Sequence, residues 1–508
     1  MKTLVYATCG FADPYLAILL DAADRAHKAG DDVVFAHCAA KSKMCIENPS
    51  GNVALCCLCR HCVKRFLNAR KSWLKEIVPE DHAPAENLRF GFASVADVKR
   101  IEYRGCRIGY GAMSTYISLT RDCFPDFSND RVHRYFESLL FEAVKITDRA
   151  YACFEAVKPD RLILYNGRLM ESRSFQEVAK LLGIPFESKE VVGGFRTGQP
   201  FKSITYPNVL PHDVPYNTSL VDRLWKLPNE SETEKTRKGE DFFIRRRGGR
   251  IAGDRVYIGG QKKGLLPSDW NPQNRNFVIF NSSEDEYAAI GPEFERYGLF
   301  HSQLDGIKYI LEHTTDRNIH YYLRIHPNLM RIHYSYRDDL LKLPSLYDNV
   351  TVVDAADPCS TYDMMDAAEK VIVFGSTAGA EAAYWGKPVI LLAASFYREL
   401  DITYNPVSMD ELGTLLTARL EPKDRMSAIR YGYFVMNRDA VADDISSFDV
   451  GMCKVPFGRK SMLTCRYNTL LGSCALMKYC RVVLKYCFSR FGRMPLAVPA
   501  FRDHVVVR

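Results

Sequence analysis

The sequence lacks any run of about 18 or more uncharged apolar residues, the least that a bilayer-spanning helix needs. Its start, MKTLVYATCGFADPY, contains no basic segment followed by a long apolar run, and Asp13 interrupts it early. We therefore expect neither a membrane-spanning helix nor a signal peptide. The sequence also lacks a nucleic-acid binding signal, because the basic run at residues 245–250 has no aromatic platform on which bases could stack. These absences favour a cytoplasmic protein that does not bind nucleic acid.

The composition is that of a soluble globular protein, with 508 residues, 47% of them hydrophobic and 25% charged. This length predicts two or three domains. The charge is unevenly distributed. Residues 451–508 contain 11 Lys and Arg and one acid, which gives them a net charge of +10. Because the whole chain carries +7, the other 450 residues carry −3. A basic tail on a nearly neutral body predicts an anionic surface as partner.

Within this tail, apolar residues recur with helical spacing from Leu476 to Phe491, and the basic residues lie mainly off that stripe. The pattern predicts a basic amphipathic helix. Such a helix rests in the interface of an anionic bilayer or, as the alternative, docks on the body of its own protein.

Cysteine is abundant, with 16 residues in the chain. Without a signal peptide, this number indicates thiols or metal ligands and not a disulfide framework. Cys59 and Cys62 have the spacing of metal ligands, and Cys45 with Cys56 or Cys57 completes four thiolates for zinc or an iron–sulfur cluster. The neighbouring histidine is a further candidate. The alternative is a set of simple thiols on a helix that continues into residues 63–73.

A strand–turn–helix–strand pattern occupies residues 370–392, KVIVFGSTAGAEAAYWGKPVILL. Its two apolar runs predict buried parallel strands, and the segment between them predicts the crossover helix. The turn from Ser376 and Thr377 to Gly379 then lies at the amino end of a helix, where N–H groups and the helix dipole attract phosphate. Glu381 is placed to bind the sugar hydroxyls of a nucleotide. The alternative is an ordinary crossover without a ligand.

Polar residues also follow two predicted strands of the first half. Gly10 and Asp13 follow the first strand, and Asn166, Gly167 and Arg168 follow a later one. Because α/β sheets bind ligands at the carboxyl ends of their strands, we expect these residues in a cleft. Asp13 suits a general base toward an incoming hydroxyl or, as the alternative, a helix cap. Arg168 suits a forked contact with a carboxylate or phosphate.

The alternation of strands and helices appears in both halves and predicts two doubly wound α/β domains with a cleft between them. The pattern weakens over residues 207–268, which we interpret as a helix-rich connection with a domain boundary near residue 265. The predicted domains are 1–265, which carries the cysteine-rich insertion, 266–440, and the helical tail 441–508.

Three segments of the second half carry a family resemblance: FNSSE at 280–284, RIHPN at 324–328 and GSTAGAEAAYWGKP at 375–388. As an ordered set they resemble bacterial glycosyltransferases of capsule and surface-polysaccharide biosynthesis. The Asn166-Gly167-Arg168 segment is similar to a motif in the amino-terminal half of the same group. The resemblance is firmest over residues 275–400. It implies the GT-B fold, in which two Rossmann-like domains face a cleft.

The resemblance also implies roles for individual residues. His326 would contact the phosphates or sugar of the donor, and we name it with Asp13 as catalytic. Ser376 and Thr377 would receive phosphate, and Glu381 would bind ribose. The implied donor site consists of Asn281, Ser282, Ser283, Glu284, Arg324, His326, Ser376, Thr377, Gly379 and Glu381. The implied acceptor side consists of Gly10, Asn166, Gly167 and Arg168.

The sequence thus predicts transfer of a sugar from a nucleotide-activated donor to a surface or capsular polysaccharide or a lipid-linked glycan, at the inner face of the cell membrane. We expect no metal in this reaction, because N–H groups, hydroxyls and an imidazole can stabilise the leaving phosphate. Two other interpretations stay open. One is a polyol-phosphate transferase or nucleotide-sugar epimerase on the same fold, and the other is a non-catalytic scaffold of polysaccharide assembly.

Overall fold

The computed structural model describes most of the chain. The described residues are 1–8, 15–39, 41–79, 88–192, 202–253, 256–331 and 335–444, and, for the backbone alone, 450–457 and 461–468. The predicted amphipathic helix of the tail lies outside these residues. Among them, no helix is both long enough and apolar enough to span a bilayer.

The chain divides into two units. Unit 1 comprises Met1–Pro211, Ala288–Ile290 and Ala442–Arg508, and unit 2 comprises His212–Tyr287 and Gly291–Val441. The second unit thus begins before the boundary predicted near residue 265.

In the residues that the structure describes, unit 1 begins with six strands and six helices. The strands are β1 (Lys2–Ala7), β2 (Asp32–His37), β3 (Lys75–Ile77), β4 (Arg161–Tyr165), β5 (Phe186–Val192) and β6 (Lys202–Pro207). The helices are α1 (Tyr15–Lys28), α2 (Val53–Asn68), α3 (Val95–Arg100), α4 (Ile108–Thr120), α5 (Asp130–Val157) and α6 (Met170–Leu181).

Unit 2 alternates helices and strands along the chain. Its elements are α7 (Val214–Lys226), α8 (Glu232–Arg247), β7 (Arg275–Phe280), α9 (Pro292–Glu295), α10 (Gln303–His313), β8 (Ile319–Arg324), α11 (Ser335–Leu341), β9 (Val350–Val353), α12 (Thr361–Ala367), β10 (Lys370–Val373), α13 (Ala378–Tyr384), β11 (Val389–Leu391), α14 (Met409–Thr417) and α15 (Arg425–Asn437). The chain then adds β12 (Asp443–Asp444), β13 (Val450–Phe457) and β14 (Ser461–Asn468).

The sheet of unit 1 has seven strands in the order β12-β6-β5-β4-β1-β2-β3. Strands β1 to β5 pair in parallel, whereas β6 and β12 add an antiparallel edge that the sequence did not predict. Alternate residues of β1 enter different cores: Leu4 and Tyr6 pack on one face of the sheet, and Val5 and Ala7 pack on the other. Helices therefore cover both faces, as in a doubly wound domain.

The sheet of unit 2 has five parallel strands in the order β11-β10-β7-β8-β9. From β7 the chain proceeds outward through β8 and β9, and then returns to place β10 and β11 on the other side of β7. This reversal puts a topological switch point between β7 and β10, the place where open α/β sheets bind ligands. Every residue of β10 is buried. The predicted class, two Rossmann-like doubly wound α/β domains, is confirmed.

Helix α8 belongs to unit 2 because it packs closely on α15. A Cβ atom on Gly432 would lie 2.5 Å from the carbonyl oxygen of Gly239, so the two backbones touch where both residues are glycine. Arg430 of α15 also pairs with Asp222 of α7. Residues 207–268, where the sequence pattern is weak, thus contain two helices, as the predicted helix-rich connection requires. These helices belong to unit 2, whereas the prediction placed them before the domain boundary.

Candidate functional site

The turn after β10 has the predicted strand–turn–helix conformation. Gly375 has a φ of +88°, and a Cβ atom there would lie 2.6 Å from the carbonyl oxygen of Ala394. Only glycine fits this position without strain. Ser376 and Thr377 follow, both half-buried, and α13 begins at the next residue. The turn therefore places two hydroxyl side chains at the carboxyl edge of the sheet.

The backbone of this turn is partly used by the turn itself. The amide of Ala378 donates to the Oγ of Ser376 at 3.3 Å, and the amide of Gly379 donates to the carbonyl oxygen of Ser376 at 3.0 Å. That carbonyl also accepts from the hydroxyl of Tyr397, which packs where a side chain at residue 379 would lie. Gly379 thus has a packing role. Phosphate binding by Ser376 and Thr377 stays a prediction.

Hydrogen bonds join the ends of β7 and β10 at the switch point. The Oγ of Ser282 donates to the carbonyl oxygen of Phe374 at 2.8 Å, and its amide donates to the Oε1 of Gln303 at 2.9 Å. The Nε2 of Gln303 returns a hydrogen bond to the same hydroxyl at 3.0 Å. Ser282 is buried, and both its amide and its hydroxyl are hydrogen-bonded, so it fixes the end of β7 against the end of β10.

The end of β7 also fixes the end of β8. The Oδ1 of Asn281 accepts the backbone amide of His326 at 2.7 Å, while Asn281 is only 1% exposed. Its Nδ2 has no hydrogen-bond acceptor among the described residues. A buried donor of this kind costs free energy unless a bound molecule or water accepts from it.

The imidazole of His326 is oriented by its own turn. Its Nδ1 accepts the backbone amide of Asn328 at 3.2 Å, so the neutral ring carries its proton on Nε2. The side chain is half-buried. Asn328 is held in turn by the hydroxyl of Tyr257, which donates to its Oδ1 at 2.9 Å. Tyr257 also meets the His326 ring edge to face, with centroids 5.4 Å apart. Sequence reasoning missed this tyrosine.

Arg324, at the end of β8, is a buried cation to which no carboxylate of the described residues is hydrogen-bonded. It is 3% exposed, its Nη2 donates to the carbonyl oxygen of Asp357 at 2.9 Å, and its Nε and Nη1 have no acceptor among the described residues. Burial lowers the pKa of the guanidinium below its ordinary value, although the charge of Asp357 acts in the opposite direction. Two strand ends thus present buried N–H donors that the described protein leaves unused.

The remaining residues of the FNSSE segment serve the loop itself. The Oγ of Ser283 donates to Asp285 at 2.6 Å, and the Oε1 of Glu284 accepts the amide of Gln303 at 3.3 Å. Their predicted place beside the donor stays a prediction.

Glu381 is buried in an ion pair that the sequence did not reveal. It is 5% exposed, its Oε1 accepts from the Nε of Arg246 at 3.0 Å, and its Oε2 accepts from the hydroxyl of Tyr362. Burial, and then the charge of Glu381, raise the pKa of Tyr362. Through these two contacts Glu381 joins α13 to α8 and α12. Each carboxylate oxygen keeps a second lone pair that could accept from a ribose hydroxyl, so ribose binding stays a prediction.

In unit 1, Asn166 and Gly167 form a left-handed turn after β4, with φ values of +58° and +83°. The Nδ2 of Asn166 and the hydroxyl of Tyr165 both donate to the carboxylate of Glu190 in β5, and burial raises the pKa of that carboxyl. Arg168 donates to the Oγ of Ser118 at 2.8 Å. Glu190 is a polar residue of this edge that sequence reasoning missed. Gly10 and Asp13 lie outside the described residues.

The cysteine cluster is divided by the structure. Cys45, Cys56 and Cys59 line one cavity of unit 1 together with Cys38, a residue that the prediction did not include. Cys62 does not line this cavity and packs with Leu55 in an apolar cluster, against which Leu58 and Cys59 also pack. Among the described residues, no three His, Cys, Asp or Glu side chains are arranged to hold a metal ion. The predicted set of Cys45, Cys56, Cys59 and Cys62 therefore finds no support in the geometry.

Neither a protein-family model nor a curated protein matches the sequence. Among solved structures, a Thermosulfurimonas dismutans KpsC, beta Kdo 2,4 transferase, is 14% identical over 54% of this chain and 79% of its own, with a TM-score of 0.33. The beta Kdo 2,7 transferase of the same organism is 16% identical over 56% and 79%, also with a TM-score of 0.33. S. aureus MnaA, solved with UDP, is 11% identical over 86% and 94%, with a TM-score of 0.27. Similarities this low carry no information about substrate or reaction, and the fold assignment rests on the sheets of this chain.

Proposed function

We propose that this protein is a glycosyltransferase that moves a sugar from a nucleotide-activated donor to a hydroxyl of a surface, capsular or lipid-linked glycan. One observation carries the proposal: the ends of β7, β8 and β10 are joined into a single polar edge at the switch point of unit 2. Ser282 connects β7 to β10, and Asn281 connects β7 to His326. Ligands of open α/β sheets bind at such an edge.

The chemistry of this edge suits a leaving phosphate. The Nε2–H of His326 and the hydroxyls of Ser376 and Thr377 are hydrogen-bond donors at one end of the sheet. The buried Nδ2 of Asn281 and the Nε and Nη1 of Arg324 add three donor groups that the described protein leaves unused. Donors fixed before the reaction stabilise charge that develops on phosphate oxygens, and they need no reorganisation to do so.

We assign the acceptor to unit 1, because Asn166, Gly167 and Arg168 form a polar edge after β4 there. A neutral hydroxyl needs a base when it attacks the sugar carbon. Asp13 is our first candidate for that base. Glu190 is the second, because its carboxylate lies at the same edge and burial raises its pKa from the ordinary value.

The test begins with thermal melting of the full chain in a panel of nucleotides and nucleotide sugars. A ligand that binds only the folded state stabilises it by about 2.7 kcal/mol at 100 times its Kd. We expect one nucleotide class to raise the Tm, with the effect reduced in His326→Ala and Ser376→Ala. The control is His301→Ala, at an exposed histidine of the same unit.

The same panel, incubated with glycan acceptors, then tests the reaction. Release of nucleotide that depends on the acceptor supports transfer. An epimerised donor in the absence of acceptor would replace our proposal with a nucleotide-sugar epimerase. Stabilisation without any turnover would favour a non-catalytic scaffold. The absence of stabilisation by every nucleotide would overturn the donor site itself.

A further inference from the structure

The long connection between α8 and β7 in unit 2 spans residues 248–274 and contains no helix or strand among its described residues. Connections of this length without secondary structure are uncommon in compact domains, and most are either linkers or functional loops. Residues 256–266, which we call the edge segment, are hydrogen-bonded to the chain that follows β8 and to the chain that follows β9. This part of the connection is therefore more than a linker.

Gln261 anchors the edge segment to the start of α12. Its Nε2 donates to the Oγ1 of Thr361 at 3.0 Å, and its Oε1 accepts the amide of Thr361 at 2.8 Å. The same Nε2 also donates to the carbonyl oxygen of Tyr257 at 3.3 Å. The amide of Lys262 adds a hydrogen bond of 2.8 Å to the carbonyl oxygen of Pro358, in the loop after β9. The backbone of Tyr257 is thus tied to α12 through one glutamine.

The side chain of Tyr257 contacts the turn after β8 in two ways. Its hydroxyl donates to the Oδ1 of Asn328 at 2.9 Å, and its ring meets the imidazole of His326 edge to face, with centroids 5.4 Å apart and ring planes inclined by 67°. The Nδ2 of Asn328 donates to the Oε1 of Glu286 at 3.2 Å. The side-chain amide of Asn328 is therefore held at both of its ends.

Asn328 decides which nitrogen of His326 carries the proton. Its backbone amide donates to the Nδ1 of His326 at 3.2 Å. A proton on Nδ1 would point at the hydrogen of that amide, so the turn favours the neutral ring with its proton on Nε2. A distance of 3.2 Å is at the long end of the range for N–H hydrogen bonds, so the preference depends on how firmly Asn328 is held.

We propose that Tyr257 is a positioning residue that fixes the tautomer and the orientation of His326. Its hydroxyl acts through Asn328 on the position of the imidazole proton, and its ring restricts rotation of the imidazole by edge-to-face packing. An N–H donor fixed in this way is set before a phosphate oxygen arrives. The phosphate as the partner of His326 rests on the proposed function, whereas the arrangement of the ring does not.

The first test measures the tautomer directly and needs no ligand. The full chain is labelled with ¹⁵N in its histidines, and two-bond ¹H–¹⁵N correlation spectra are recorded at about pH 8.5, where an ordinary histidine is neutral. The signals of His326 are those that disappear in His326→Gln. We expect the Nε2–H form in the wild type. In Tyr257→Phe and Tyr257→Leu, His326 should shift toward the mixture of tautomers shown by the exposed His301 of the same unit.

The two substitutions at Tyr257 separate its two contacts, because Tyr257→Phe keeps the ring and Tyr257→Leu removes both the ring and the hydroxyl. The matched control is Tyr347→Phe, which loses a hydroxyl hydrogen bond to Glu312 at the amino end of β9 and should keep the wild-type signals of His326. An Nδ1–H form in the wild type, or a pure Nε2–H form in both Tyr257 variants, would overturn the proposal. Circular dichroism checks that each variant is folded.

The second test separates this role from the proposed function. With the nucleotide that raises the Tm of the wild type, Tyr257→Phe should weaken binding roughly two- to tenfold, the effect of about one hydrogen bond. In a His326→Ala background the same substitution should change binding little, because Tyr257 acts through the histidine. Equal effects in both backgrounds would overturn the positioning role and leave the donor site in place. If no nucleotide binds, the donor site fails, and the tautomer of His326 alone decides the role of Tyr257.

Discussion

Arg246 in α8 and Glu381 in α13 form a buried ion pair across 135 residues of sequence, with the Nε of the arginine 3.0 Å from the carboxylate. Both side chains are less than a tenth exposed. The pair joins α13, the helix after the turn at Ser376 and Thr377, to α8, the long charged helix of unit 2. The position of that turn therefore depends on a residue in a segment whose charges suggest a solvated surface.

We predict that Arg246→Met lowers the free energy of unfolding by about 3 to 5 kcal/mol, because it leaves the carboxylate of Glu381 buried without its cation. The double variant Arg246→Met with Glu381→Leu should recover much of this loss, since it removes both charges. Urea denaturation measures all three proteins. Equal stability of the single and double variants would show that the unpaired carboxylate of Glu381 does not destabilise the fold.

A second prediction concerns Asn281, whose Oδ1 accepts the amide of His326 and whose Nδ2 is a buried donor. Asn281→Asp keeps the acceptor but removes the donor, whereas Asn281→Ala removes both. We expect nucleotide-induced stabilisation to decrease in Asn281→Asp and to disappear in Asn281→Ala. Thermal melting with the nucleotide found for the wild type measures the effect. Asn318→Ala, at an exposed residue of the same unit, should respond as the wild type does, and a full response in Asn281→Ala would contradict the assigned role.

Much of the fold could be predicted because its signals are local. The crossover at residues 370–392 is visible as two apolar runs around a small-residue turn, and it folds as expected. The polar edges after β4, β7, β8 and β10 follow from the same logic, since a residue that follows a buried parallel strand must lie at the sheet edge.

What could not be predicted depends on pairing over long distances. Glu190 joins Asn166 only because β5 lies beside β4, and the sequence does not state that neighbour. The sequence does not indicate Cys38, because it follows a strand and lies far from the closely spaced Cys59 and Cys62. Cys62 packs with Leu55 and does not line the cavity, which its spacing from Cys59 in the sequence does not show. The buried position of Arg246 could not be predicted, because it lies in a run of charged residues and such runs usually face solvent.

The turn at Gly375 provides a third prediction with its own matched control. Gly375 and Gly386 flank α13 and have similar φ values of +88° and +78°. A Cβ atom at residue 375 would meet the carbonyl oxygen of Ala394 at 2.6 Å, whereas at residue 386 it meets nothing within 4 Å. Gly386→Ala should cost about 1 to 2 kcal/mol from left-handed strain alone. Gly375→Ala should cost clearly more and weaken nucleotide binding. Chemical denaturation compares the two, and equal losses would show that the close contact is absent.

The last prediction is a pH dependence that originates at Glu171, in the first turn of α6. This side chain is 2% exposed, its Oε1 accepts the amide of Ile46 at 2.8 Å, and burial raises its pKa from 4.5 to about 7. Between those two values the folded chain holds a proton that the unfolded chain has released, so its contribution to stability is complete below the lower pKa and is lost as the pH rises through the higher one. The loss should be on the order of 3 kcal/mol. Glu171→Gln keeps an acceptor for Ile46 but cannot ionise, so its stability relative to the wild type should rise between about pH 5 and pH 8. Urea denaturation at both pH values measures this difference. A constant difference would mean that the Glu171 carboxyl titrates alike in the folded and unfolded chain, and that its burial does not govern its charge.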